Sequence, residues 1–256
     1  MRGLQWFNAL SAGATPVEGL PNSVKVADGL LGEQAVRFIA VVTDAQNRFP
    51  RARNGEVGLL EGWGLAKAVD EAIARGDKRP IIAIVDVPSQ AYGRREEALG
   101  IHQALAAAAD SYARARLAGH PVIALLVGKA MSGAFLAHGY QANRLIALRD
   151  PGVMVHAMGK ASAARVTLRS VEELEALAAS VPPMAYDIDS YASLGLLWET
   201  LTVSQIEQPT AQDVALVNEC LVSAIKNVGT PDLSSRLGAS NRAASSHVRQ
   251  LLREQW

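Results

Sequence analysis

The sequence predicts an α/β domain of repeated strand–turn–helix units, with parallel strands and peripheral helices. Three observations carry this expectation. Short apolar runs without a polar face begin at Phe38 (Phe-Ile-Ala-Val-Val), Ile81 (Ile-Ile-Ala-Ile-Val-Asp-Val) and Val122 (Val-Ile-Ala-Leu-Leu-Val), as in strands buried on both sides. Between them, apolar residues recur at helical spacing. The run starts lie 43 and then 41 residues apart, a period that suits stacked supersecondary units. Buried strands alternating with amphipathic helices form parallel sheet with crossover connections. Ligands of such sheets gather at the carboxyl ends of the strands.

Residues 1–33 are rich in Gly and Pro and read as an irregular N-terminal arm, anchored through Trp6, Phe7 and Leu10 on its own core or on a neighbouring subunit. The strand at Phe38–Val42 leads into a polar loop, Asn47–Gly58, carrying Arg48, Arg51 and Arg53. Leu65, Ala68, Val69, Ala72 and Ile73 then share a helical face, and Gly76 stops the helix. Pro88 ends the strand Ile81–Val87. After the polar stretch Ser89–Glu97, Ile101, Leu105, Ala109 and Tyr112 mark a longer helix, closed by Gly119 and Pro121.

Beyond Val122–Val127, the stretch Gly128–Ala134 is nearly all small residues, so it predicts a sharp turn that another group can approach closely. Ser132 is placed as N-cap of a helix that buries Phe135 and Leu136. Further strands are predicted at Arg144–Leu148, within Gly152–Gly159, and at Leu196–Val203. Val171, Leu174 and Leu177 mark a helix stopped by Pro182 and Pro183. Thr210 with Asp213 makes a capping-box-like start for a helix bearing Val214, Val217, Leu221, Ala224 and Ile225. Asn241–Glu254 reads as a terminal helix. No break in composition divides the chain: residues 1–256 read as one domain, with 205–256 as its helical C-terminal segment.

Hydrophobic content of 49% with 20% charged residues is that of an ordinary well-cored protein. A formal net charge of +0 argues against binding to nucleic acid or a membrane surface. Cys220 is the only cysteine, which excludes an internal disulfide framework and a thiolate-rich metal site. Neither a bilayer-spanning run nor a secretion signal is visible, so the expected compartment is the cytoplasm.

The chemistry is expected at the small-residue turn. A strand feeding a helix start presents backbone N–H groups that lack intrahelical partners, at the positive end of the helix dipole. Gly133 and Ala134 supply such amides, an anion pocket that needs no charged side chain. The alternative is that Gly133 only permits close helix–strand packing. Amides engaged within the fold, or turned away from a cleft, would count against the anion pocket. Ser132 lacks the Gly-x-Ser-x-Gly setting of a hydrolase elbow, since Ala130 and Ala134 flank it. It stays a candidate substrate contact. Gln90 and Tyr92, in the loop after the second strand, are further substrate-contact candidates. So are Met158, Gly159 and His156 in the next turn. Arg94 and Arg95 read as a solvated face, as do Lys129, Lys160 and Arg165. His102 and His138 read as structural, and no histidine belongs to a cluster with metal-ligand spacing.

These elements resemble the crotonase superfamily, and more closely its carboxyltransferase branch. The likeness lies in Asp86-Val87-Pro88 followed by Ser89-Gln90-Ala91-Tyr92-Gly93, in Gly128-Lys129-Ala130-Met131-Ser132-Gly133-Ala134-Phe135, in Gly152–Lys160, and in Ala192-Ser193-Leu194-Gly195. Ser132 stands where that branch has a glycine, and Lys160 where it has a proline. With its first and last segments, the chain is most similar to gamma subunits of biotin-independent malonate decarboxylases. The resemblance implies a crotonase-like spiral and a related beta subunit, with an active site between the two. It also implies a malonyl group carried as a thioester on the phosphopantetheine arm of an acyl carrier protein, and no tightly bound cofactor. Decarboxylation would leave acetyl thioester and carbon dioxide through an enolate, with the backbone amides of Gly133 and Ala134 holding either the enolate oxygen or the departing carboxyl group and a second such site on the partner. The alternatives are a subunit of a biotin-dependent carboxyltransferase and a non-catalytic scaffold that completes a partner's pocket.

Overall fold

The computed structural model describes residues 1–256. The first segment is ordered rather than an irregular arm. Gly3, Trp6, Phe7 and Leu10 fall on one face of helix α1 (Arg2–Leu10) and are buried. Trp6 donates its indole N–H to the Ile206 carbonyl at 2.9 Å, so the anchor is this chain's own core. A short strand β1 (Thr15–Pro16) follows, then β2 (Val24–Leu31) and β3 (Gln34–Val41), an antiparallel hairpin turning at Gly32, whose φ of 62° suits glycine.

The repeated units follow. Helix α2 (Leu59–Ala74) leads to β4 (Ile81–Val87), and α3 (Arg94–Ala98) and α4 (Ile101–Leu117) lead to β5 (Val122–Met131). Short helix α5 (Ser132–Ala137) precedes β6 (Arg144–Leu148) and β7 (Met154–His156). Then come α6 (Lys160–Val166), α7 (Val171–Ala178), α8 (Ile188–Ser193), β8 (Glu199–Leu201), α9 (Ala211–Lys226) and α10 (Ala243–Gln255). The sheet runs β1-β2-β3-β4-β5-β6-β8, with β7 pairing the far end of β5, and it is parallel from β3 onward. One apolar core covers both faces of the parallel strands. The face that α4 buries is Ile101, Ala104, Ala108, Tyr112 and Ala115, rotated from the predicted line, and Leu136 of α5 is exposed while Phe135 is buried.

The central strand is longer than its apolar run. β5 continues through Gly128 to Met131, and the predicted turn shrinks to the junction with α5. Register explains this. Val85 pairs with Leu126 but Val87 pairs with Ala130, so β5 carries an irregularity around Gly128. There Asp86 replaces the missing ladder: its Oδ1 accepts the Lys129 N–H at 3.1 Å and its Oδ2 accepts the Gly3 N–H at 3.0 Å. A Cβ on Gly128 would collide with the Asp86 carboxylate, so glycine here serves close approach rather than bending.

The C-terminal segment is fastened by side chains. Thr210 and Asp213 form the predicted capping box of α9. Arg144 donates to the Asn227 side chain and carbonyl, and buried Arg236 donates to the Tyr140 carbonyl at 2.8 Å. No helix is long and apolar enough to cross a membrane.

Candidate active site at the ends of β4 and β5

Parallel pairing brings the carboxyl ends of β4 and β5 together, and with them two residues 43 apart in sequence. Gly133 donates its N–H to Gln90 Oε1 at 2.9 Å. The expected donor is therefore engaged within the fold, which counts against the anion pocket as expected from the sequence; its acceptor is a half-buried side-chain tip rather than backbone. The loop bearing Gln90 is fixed from behind. Val57 donates to the Ser89 carbonyl at 3.0 Å and accepts from the Ala91 N–H at 2.8 Å. Gly58 next to it donates to Glu61 Oε2 at 2.9 Å. Glu61 is fully buried, and its other oxygen accepts from Ser23 Oγ at 2.5 Å and Asn47 Nδ2 at 2.7 Å. Its saturated hydrogen bonding makes a buried carboxylate tolerable without a cation. Sequence reasoning passed over Glu61, although an acidic residue at the start of an apolar helical stretch was a readable sign.

Ser132 is not an N-cap. Met131 occupies that position, and Ser132 is the first helical residue, with φ of 58° and a hydroxyl that makes no hydrogen bond within the chain. Tyr92 is brought elsewhere: its exposed ring lies under Arg51, 4.9 Å from the guanidinium carbon, and its carbonyl accepts from Arg51 at 3.3 Å. On the other side, Met131 of β5 pairs with His156 of β7, which sets His156 beside the Ser132 turn. The imidazole stacks on Tyr186 at 3.9 Å, and burial lowers its pKa, favouring the neutral ring. Its Nδ1 lies 3.0 Å from the Met158 carbonyl oxygen, to which Tyr186 also donates at 2.8 Å. Tyr186 had no signal in the sequence. Gly159 follows as the open N-cap of α6, while Lys160 is paired with Glu175 at 2.7 Å.

Two remaining groups are structural. Burial pushes the Cys220 thiol up to about 11, so it stays protonated. His138 is fully buried, donating from Nε2 to the Ile84 carbonyl at 3.0 Å and accepting the Tyr112 hydroxyl at Nδ1, also at 3.0 Å. Desolvation lowers its pKa from 6.5 to about 4. The unfolded chain therefore takes up a proton before the native one does. Stability contributed by this group is complete above about pH 6.5 and drains as pH falls toward 4, by about 3 kcal/mol in all. Urea midpoints of His138→Gln should fall less steeply than wild type across that window; parallel curves would contradict this.

The model of the malonate decarboxylase gamma subunit family (MdcE) matches residues 52–256. The chain belongs to that family. Malonyl-S-ACP:biotin-protein carboxyltransferase MADD of Malonomonas rubra is 33% identical over 235 residues, which are 88% of this chain and 77% of that protein. A Pseudomonas malonate decarboxylase hetero-tetramer in complex with coenzyme A contains a chain 71% identical, with a TM-score of 0.95 over 100% of this chain and 99% of that one. A Pseudomonas MdcD–MdcE hetero-dimer gives 66% identity and a TM-score of 0.91 over the same shares. Its architecture is the crotonase-like carboxyltransferase fold, as the resemblance implied. As a gamma subunit, the chain is part of a malonate-decarboxylating enzyme complex.

Proposed function

We propose that the β5–α5 turn of this gamma subunit forms one oxyanion site for decarboxylation of a malonyl thioester, in a cleft completed by a related beta subunit. The observation that carries the reading is the Gly133 N–H, at a helix start on the strand ends, held only by the displaceable amide of Gln90. Substrate would arrive on the phosphopantetheine arm of an acyl carrier protein or, as an analogue, on coenzyme A. An oxygen of the malonyl group displaces Gln90 Oε1 and takes the Gly133 and Ala134 amides. The bond between the carboxyl carbon and the α-carbon then breaks, its electron pair passing into the thioester as an enolate, and carbon dioxide departs. Water returns a proton to the α-carbon to give acetyl thioester. Fixed donors aimed at developing charge are worth ~2.7–4 kcal/mol each. Ser132, Gln90, His156, Met158 and Gly159 line the approach, while Tyr92 lies outside it against Arg51.

The relation to a biotin-protein carboxyltransferase favours one second reading, transfer of the carboxyl group to biotin. Co-expression with the beta partner separates the two: carbon dioxide release from malonyl thioester should not require a biotinyl carrier. A scaffold role is tested at Gly133. A Cβ there meets Gln90 and Leu105 at 3.4–3.6 Å, ordinary contact, so Gly133→Ala should retain activity within about fivefold. Gly133→Val should lose on the order of a hundredfold or more, by crowding the donor that substrate needs. Full activity in both variants would leave the chain as scaffold only.

A further inference from the structure

Arg236 is only 7% exposed, yet no carboxylate meets its charge. Its terminal nitrogens donate to the Tyr140 and Ala142 carbonyls, and its Nε, wholly buried, has no partner. Two further guanidiniums lie close to it. Buried Arg116 donates to the Gln141 and Pro231 carbonyls, and Arg144 to those of Asn143 and Asn227. None of the three forms an ion pair, and the one acid near Arg116 and Arg144 is the exposed Asp232. Arg37, the other deeply buried guanidinium away from this cluster, is met by Asp28 at 2.7 Å. A buried charge is costly unless an opposite charge answers it. Arg144 and Arg236 line a cavity of about 180 Å³ with Asn227 and Ser235, and no carboxylate lines it. It lies where β6 begins, at the end of the sheet opposite the Gly133 turn. Asn227 Oδ1 and Ser235 Oγ accept from Arg144, which leaves the Asn227 amide hydrogens and the Ser235 hydroxyl hydrogen for a ligand.

We infer that this cavity binds a small oxyanion of the phosphate class, held by Arg144, Arg236, Asn227 and Ser235. A concave site lined by charge of one sign concentrates counter-ions, and the guanidinium fork matches phosphate oxygens. Size points the same way. The cavity takes one such ion, whereas a whole drug-sized ligand needs ~300 Å³ or more. A phosphate brings close to two negative charges to three cations, where a carboxylate brings one. Bound there, it ties the start of β6 to residues 227–236, a segment with no strand pairing of its own. The site shares no residue with the decarboxylation turn and does not depend on it.

The test is thermal unfolding of the full chain in inorganic phosphate against chloride at equal ionic strength. Phosphate at about 10 mM should raise Tm by roughly 2–4 °C. Ser235 is exposed, so Ser235→Glu can be made without disturbing the core, and it offers Arg144 a carboxylate of the chain's own. That variant should raise Tm in chloride and abolish the response to phosphate. Arg236→Lys keeps the charge but loses the fork, and should weaken phosphate about tenfold by calorimetry. No response in wild type overturns the inference. So does a response of equal size in Ser235→Glu, which would be general exclusion of the salt from the surface. Coenzyme A and dephospho-coenzyme A, compared in the same way, identify the source of the ion. A larger response to coenzyme A that Ser235→Glu removes assigns the terminal phosphate of a nucleotide, and equal responses assign the free ion.

Discussion

Gln90→Glu should lower kcat/KM for malonyl thioester by about a hundredfold to a thousandfold in the assembled complex. The change is nearly isosteric, so the loop pinned by Val57 and Glu61 should keep its place. What changes is the occupant of the Gly133 N–H. The neutral amide now accepts that bond at 2.9 Å, a contact worth about 0.5–1.5 kcal/mol net. A carboxylate in its place makes a charge-assisted bond, worth about 1.5–3 kcal/mol, that substrate must displace. It also sets a negative charge where the malonyl oxygen must arrive and negative charge develops. Together these make ~3–4 kcal/mol, the stated fall in kcat/KM. Gln90→Ala empties the position and should keep activity within a few-fold. Steady-state carbon dioxide release on both variants decides the matter. Equal losses in the two would make Gln90 a substrate ligand rather than an occupant, and no loss in Gln90→Glu would remove substrate from this turn.

The three repeated strands were legible because apolar runs at residues 38–42, 81–87 and 122–127 admit no other reading: buried on both faces, they become β3, β4 and β5. Their period also put the right strand ends side by side. The run of small residues from Gly128 was harder. Small side chains signal either a bend or a close approach, and only the register shift against β4 shows that Gly128 accommodates Asp86 while the chain stays extended. The N-terminal segment was lost for a similar reason. Gly, Pro and charge between residues 11 and 33 look like loop, although Gly3, Trp6, Phe7 and Leu10 already carried a helical period.

At the site, the sequence indicated the turn but not the state of its donors. That Gly133 meets Gln90 depends on a side-chain rotamer and on pairing across 43 residues. The positive φ of Ser132 has no sequence signal except that a relative's glycine belongs there. Tyr92, adjacent to Gln90 but one step further along an extended loop, faces Arg51 instead. Proximity in a motif thus predicted the neighbourhood, while the direction of each side chain was set by backbone geometry.

The β2–β3 hairpin, which the sequence did not indicate, holds an ion pair with a fully buried guanidinium. Asp28→Ala should cost about 3–5 kcal/mol of unfolding free energy. Arg37 of β3 is fully buried, grips both Asp28 oxygens at 2.7 Å, and donates to the Ala68 carbonyl at 2.7 Å. Arg75 and Arg79 reach the same carboxylate at 3.0 and 3.2 Å. Burial alone would raise the Asp28 pKa, but these guanidiniums bring it below 3.8. Its contribution to stability is therefore complete above about pH 3.8 and is lost as pH falls through the lower folded value. Without Asp28, the nearest carboxylate left to Arg37 is Glu71, at 3.9 Å, and the guanidinium stays buried almost unpaired. Arg37→Met removes the buried charge instead, leaving Asp28 with two arginines at a partly exposed edge, and should cost about half as much. The double variant should be more stable than Asp28→Ala alone, a reversal that only an orphaned charge explains. Urea unfolding of the four chains gives the comparison. A cost below about 1 kcal/mol for Asp28→Ala would mean that Glu71 takes over the pair. Because β3 lies against β4, which carries Gln90 to the Gly133 turn, the same substitution should loosen the site before it unfolds the chain.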